Sequence, residues 1–298
     1  MSAAVNSDPL EYYRRYGRLT DPRAEAEMFE GLPRDVAALR SVVQGLVIHV
    51  FWAQRYGLTL PADREEELQI RPVADKLRQI RRLCDHPLTE PRPLDKRLVG
   101  NCRDFSLVLC SMLRHLGIPA RARCGFATYF VPDHFEDHWV CEYWQGTGRW
   151  VKADAQLDKF QRDRLGISFD PLDVPNDQFL AAGKAWQMCR AGEADPDAFG
   201  ISELHGLWFV RGNLVRDLAS LNKVELLPWD SWGLIGKAEN ELTESDLGLL
   251  DQVALMTQAG NDRFDDIRSI YESNTCLRVP RIIVSYLKTG VRTVEIET

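Results

Sequence analysis

The segment Gly100-Asn101-Cys102-Arg103-Asp104-Phe105-Ser106 places a thiol where a helix is expected to begin. Asn101 suits the capping position and Cys102 the first turn. Unpaired backbone N–H groups and the positive end of a helix dipole favour a thiolate there. With a protonated imidazole nearby, a thiol pKa near about 8.5 falls to roughly 3.5–7.5. The same N–H groups suit a tetrahedral oxyanion. Position alone, however, also describes cysteines that only fill space, because an uncharged Cys behaves as a small, soft hydrophobe.

The other two groups come from His138-Trp139-Val140-Cys141-Glu142-Tyr143-Trp144 and, after a short turn, Arg149-Trp150-Val151-Lys152-Ala153-Asp154. An imidazole on one strand and a carboxylate on its hairpin partner can meet across a sheet. Parity decides whether they do: an odd loop of three or five residues, or a bulge, puts both on one face, and an even loop separates them. In the odd geometry Asp154 fixes the tautomer and orientation of His138. His138 then takes the proton from Cys102 and later returns it to a leaving group. Each residue alone has a plainer explanation, His138 as a structural or surface residue and Asp154 as a turn former or helix cap.

These groups need elements to hold them. The helix opened by Cys102 is read from the buried stripe Phe105, Leu109, Met112, Leu113 and Leu116, closed by Gly117-Ile118-Pro119. Candidate antiparallel strands follow over residues 120–131, 138–144 and 149–154, separated by Pro132-Asp133 and Gly146-Thr147-Gly148. Upstream, residues 34–57 read as one long helix closed by Gly57, and residues 62–84 as a second, more charged helix. The three prolines in the nine residues 85–93 mark the best internal boundary. Residues 176–266 read as mainly helical, and residues 279–298 as strand-like around Lys288-Thr289-Gly290. The expected class is α+β: a mainly helical section over 1–93, a core over 94–175, and a mainly helical extension with terminal strands over 176–298. No period of roughly 20–50 residues recurs, so a solenoid is not expected.

The ordered pattern N-C-x-D-F-S, G-I-P-A-R, D-H-W-V-x-x-Y and R-W-V-x-x-D resembles the catalytic core of the transglutaminase-like superfamily. The resemblance covers residues 98–158, roughly a fifth of the chain. It implies a papain-like arrangement, with a nucleophilic Cys opening a helix packed on an antiparallel sheet that carries the His and the Asp. Matched position by position, it implies Cys102 as nucleophile, His138 as base and acid, and Asp154 as the orienting residue. The implied chemistry is attack of the Cys102 thiolate on an amide or thioester carbonyl, an acyl-enzyme, and transfer to an amine or to water. The acyl substrate is a peptide, a protein or a small molecule. Two departures stand out: Trp139 follows His138 directly, where members often have a small residue first, and Ala155 replaces the usual Pro after the Asp. Papain-like enzymes take an oxyanion donor from an upstream Gln and animal transglutaminases from a Trp. Gln44 and Trp52 occupy that region, though a buried polar Gln and a core Trp are the better readings. The reading from another class is a catalytically silent scaffold that binds a peptide or partner protein; an intact triad argues against it.

Composition bounds the rest. A chain of 298 residues can bury a proper core without disulfides, and 45% hydrophobic with 27% charged residues is an ordinary globular balance. A formal charge of -7 makes nucleic acid a poor partner, since that binding draws on clustered positive charge. Seven scattered cysteines without a C-x-x-C pair indicate no disulfide framework. The N-terminus lacks a secretory apolar core, and the longest apolar stretch, residues 42–53, is short and interrupted by Gln44 and His49. A soluble cytoplasmic protein with reduced thiols and no membrane contact is expected. Cys124, His134, His138 and Cys141 lie close in sequence, but their spacing matches no standard zinc site, so no metal is expected; a zinc hydrolase would carry stoichiometric zinc. No Gly-rich phosphate loop follows a strand, and no cofactor is expected. Finally, Trp208, Arg211, Arg216, Trp229 and Trp232 could line a substrate cleft. The plainer reading is an extension that packs its aromatics on the core and pairs Arg with Asp within one helix.

Overall fold

The protein is described here by a computed structural model covering residues 8–296. Most of the N-terminal stretch read for a secretory signal, residues 1–7, lies outside the described residues, as do residues 297–298. In chain order the helices are α1 (Pro9–Arg14), α2 (Val36–Leu46), α3 (Val73–Leu83), α4 (Cys102–His115), α5 (Lys159–Leu165), α6 (Ala182–Arg190), α7 (Leu207–Leu221), α8 (Glu244–Gln258) and α9 (Phe264–Ser273). The strands are β1 (Val47–His49), β2 (Leu98–Gly100), β3 (Ala120–Ala127), β4 (Phe135–Gln145), β5 (Arg149–Ala153), β6 (Phe179–Ala181), β7 (Phe199–Ile201), β8 (Leu204–His205), β9 (Asp230–Ser231), β10 (Ile282–Leu287) and β11 (Gly290–Glu295). Helix and sheet are mixed, as an α+β class requires. Two compact units share the chain. One is Leu10–Ala122 with Trp139–Pro175, and the other is chiefly Arg123–His138 with Asn176–Thr298.

In the first unit, α2 is capped by Asp35, whose carboxylate accepts the Ala38 N–H at 2.9 Å, and buries Leu39, Val42, Val43 and Leu46. The long helix expected over 34–57 ends there. The β-branched Val47-Ile48 pair leaves the helix and pairs in parallel with β2, Val47 opposite Leu98 and Ile48 opposite Val99. Gly57 does end a helical turn, but a short 3₁₀ one over Ala53–Tyr56, in the left-handed region at φ 79°. The helix expected over 62–84 also divides, into a 3₁₀ stretch (Ala62–Gln69) and α3. Pro72 stands between them; it has no N–H to donate and disfavours helical backbone at Arg71.

α4 begins and stops where the sequence indicates, with Gly117 at φ 75° beyond its end. Every residue from Cys102 to Arg114 is buried, so the helix is enclosed all round rather than along one stripe. The hairpin follows: β4 and β5 are antiparallel with Cys141 opposite Ala153 and Gln145 opposite Arg149. Between them lies the three-residue loop Gly146-Thr147-Gly148.

In the second unit, β3 stops at Ala127, short of the expected residue 131, and β6 pairs antiparallel with its end. The sheet order there is β6-β3-β4-β7-β8. Gly125 makes the β3–β6 approach feasible, because a Cβ there would stand 2.1 Å from the Leu180 carbonyl oxygen. Gly125→Ala is therefore expected to cost about 1–3 kcal/mol of stability, read from urea unfolding; an unchanged midpoint would reject this close approach. The expected helical stretch does hold α6, α7, α8 and the start of α9, but also the strands β6 to β9, each too short to show a period. The terminal strands are present as the β10–β11 hairpin around Lys288-Thr289, with β9 on the other edge of β10. Among the described residues no helix is long and apolar enough to cross a membrane.

Candidate active site

Cys102 is the first residue of α4 and is 7% exposed. The helix start is built by Asp104, whose carboxylate accepts the Asn101 backbone N–H at 3.0 Å, while the Asp104 N–H donates to the Asn101 carbonyl at 2.9 Å. One turn on, the Ser106 hydroxyl lies 3.1 Å from the Cys102 carbonyl and 2.9 Å from that of Trp139, joining the helix start to β4. Beneath this turn is a fully buried ionic cluster that sequence reasoning missed. Lys76 Nζ and an Arg103 guanidinium nitrogen both stand 2.9 Å from Asp104 Oδ1, and Arg103 also donates to the Arg71 carbonyl. Burial pushes the Asp104 carboxyl up, but the charges of Lys76 and Arg103 and the Lys76 hydrogen bond outweigh it and hold the group below the usual carboxylate range. Burial depresses the Lys76 ammonium to about 8 against the pull of Asp104.

Asp154 follows β5 directly and is fully buried. Its Oδ1 accepts the backbone N–H groups of Gln156 at 2.9 Å and Leu157 at 3.4 Å, so it does form a turn, the plainer role weighed from sequence. Arg40 was not anticipated; burial lowers its guanidinium pKa, and the Asp154 charge is the largest of those opposing the shift. Gln44 donates to the Ala155 carbonyl at 3.1 Å. Trp52 is a 5% exposed core residue with the Arg55 guanidinium over its ring. Trp52 matches the core reading preferred for it, whereas Gln44 is hydrogen-bonded but only partly buried.

In the β4–β5 ladder, paired positions are both odd or both even, and the intervening loop has the odd length that the hairpin reading demanded of His138 and Asp154. His138 lies on β4 and is 1% exposed. Its ring meets Phe130 and Tyr129 edge to face at centroid distances of 4.9 and 5.8 Å, with Phe179 at 6.4 Å. The adjacent aromatic pair before Pro132-Asp133 was the available signal for these neighbours. Cys102 and Asp154 belong to the first unit, and His138 closes the Arg123–His138 segment of the second.

Among the described residues no group of three or more His, Cys, Asp and Glu side chains is placed to hold a metal ion. The Trp- and Arg-rich segment divides. Trp208 and Arg211 line a cavity of about 560 Å³ with Trp186, Arg190 and His205, whereas Trp232 is buried and donates its indole N–H to the Leu277 carbonyl. The expected Arg–Asp pairing within one helix is not found at Asp217 of α7. Its carboxylate is held bidentately by Arg123 of β3, at 2.9 and 2.8 Å, and one oxygen also accepts the Cys124 N–H. A buried planar guanidinium on a strand satisfies both carboxylate oxygens at once.

The family model of the transglutaminase-like superfamily matches residues 73–155, from the start of α3 to the residue after Asp154. Cys102, His138, Asp154 and the Lys76–Asp104–Arg103 cluster all fall within that span. Comparisons with curated proteins and with solved structures give no match.

Proposed function

We propose that this chain is a transglutaminase-like cysteine acyltransferase or hydrolase with a papain-like Cys102–His138–Asp154 triad. The observation that carries the reading is Cys102 at the first position of α4, inside the span matched by the family model. His138 takes the thiol proton, and the sulfur attacks an amide or thioester carbonyl. The electron pair moves to oxygen, which the helix N-terminus stabilises. Collapse expels the amine or thiol with the proton held by His138 and leaves a thioester on Cys102. An amine or water then takes the acyl group from a peptide, protein or small-molecule donor. Asp154 keeps one imidazole nitrogen protonated and the ring oriented.

Alkylation kinetics test the nucleophile. Cys84, Cys189 and Cys276 are more exposed than Cys102. Burial pushes the Cys189 thiol up to about 11, and burial followed by the Cys110 hydrogen bond raises Cys141. Iodoacetamide near pH 7 is expected to label Cys102 first despite its burial, and His138→Ala to slow that labelling at least about tenfold. Labelling that simply follows exposure would favour the silent scaffold.

A further inference from the structure

The Asn101 side chain is the least explained group at the start of α4. Asn101 is the N-cap and is 7% exposed. An N-cap Asn ordinarily accepts a first-turn N–H through its side chain. Here the Asp104 and Phe105 N–H groups go to the Asn101 main-chain carbonyl, at 2.9 and 3.4 Å, and the Asn101 main-chain N–H goes to the Asp104 carboxylate. Its own backbone needs are thus met without the amide, and both amide atoms, Oδ1 and Nδ2, are buried with no hydrogen-bond partner. A buried amide left unpaired on both sides is costly, and native structures keep such groups rarely. The amide belongs to the residue immediately before the nucleophile. The side chains suggested by sequence for an oxyanion donor have other surroundings: Gln44 donates to the Ala155 carbonyl, and Trp52 lies in the core. The Trp139 indole N–H is also unpartnered, but Asn101 is joined to Cys102 directly.

We infer that Asn101 is a catalytic residue whose side-chain N–H donates to the oxyanion formed when Cys102 attacks an acyl carbonyl. This rests on the acyl-transfer reading above. As the carbon–sulfur bond forms, the carbonyl π pair moves onto oxygen, where Asn101 Nδ2 donates; when that pair re-forms the carbonyl, the leaving group departs with the proton from His138. The empty bonding capacity of the amide is filled in the intermediate rather than in the resting protein.

The test compares two reactions of one sulfur. Acylation by p-nitrophenyl acetate passes through a tetrahedral oxyanion, whereas iodoacetamide alkylates by displacement at carbon and forms none. Asn101→Ala is expected to slow single-turnover acylation, followed by p-nitrophenolate release and intact mass, by about 10²–10³-fold. Alkylation of Cys102 should stay within about twofold, and because the amide caps nothing, the melting temperature should not fall. Asn101→Ser, shorter but still capable of capping, should also acylate slowly, which covers poor folding of the Ala variant. Equal acylation in the parent and both variants would overturn the assignment. So would a parallel fall in acylation, alkylation and melting temperature, which marks a structural cap. A parent chain whose Cys102 neither acylates nor alkylates ahead of its other thiols would remove the acyl-transfer reading itself.

Discussion

With the proposed triad, Cys102→Ala is expected to abolish acyl transfer, a loss on the order of 10⁶-fold in the chemical step, because no other group would replace the attacking sulfur. Intact-mass detection of a thioester adduct after incubation with peptide and thioester donors reads it directly, and an adduct persisting in the variant would place the nucleophile elsewhere. Asp154→Asn is the more discriminating companion. An Asn oxygen can still accept the Gln156 and Leu157 N–H groups now bound by Asp154 Oδ1, so the turn should survive, although the partly buried Arg40 loses its largest opposing charge. In the proposed triad, what disappears is the charge that would select the imidazole tautomer, with an expected loss of about 10⁴-fold. Activity within tenfold of the parent would reduce Asp154 to a turn former.

Asp104→Asn is expected to produce the largest loss of stability. The carboxylate neutralises Lys76 and Arg103 where all three side chains are fully buried. Removing one member of a buried ionic group leaves uncompensated charge and costs about 3–5 kcal/mol. Adding Lys76→Met should recover part of that loss, since the two residues share one cluster. The pH dependence follows from the direction of the shift. The folded Asp104 carboxyl lies below its unfolded value of about 3.9, so its contribution is complete above that value and fades as pH falls through the folded one. The penalty of Asp104→Asn should therefore be full at pH 7 and shrink in strong acid. A urea-unfolding series that finds the same small penalty at both ends would contradict the buried-cluster account.

Much of the candidate site was legible because its signals are local. Asn101 before Cys102, the apolar repeat through Leu116 and the Gly117-Ile118-Pro119 stop are read from neighbours in the chain, and α4 occupies that place. The glycine-flanked turn after Gln145 likewise announced a hairpin, but not its loop length; the pairing of Gln145 with Arg149 makes the loop three residues. The apolar run after Val36 misled because helix and buried strand look alike when every side is covered; only the pairing of β1 with β2 separates them.

Residue types and short-range spacing were thus enough to determine the thiol at a helix start, the hairpin with His138 on β4 and Asp154 just beyond β5, and the ordered motif that resembles the family whose model matches residues 73–155. Tertiary structure alone decided which charges meet: Arg123 with Asp217 across 94 positions, and Lys76 with Asp104 beneath the first turn of α4. The physical reason is that caps, turns and periodicity are set by nearest neighbours along the backbone. A buried ion instead takes whichever partner the folded chain brings to it, and no local pattern records that choice.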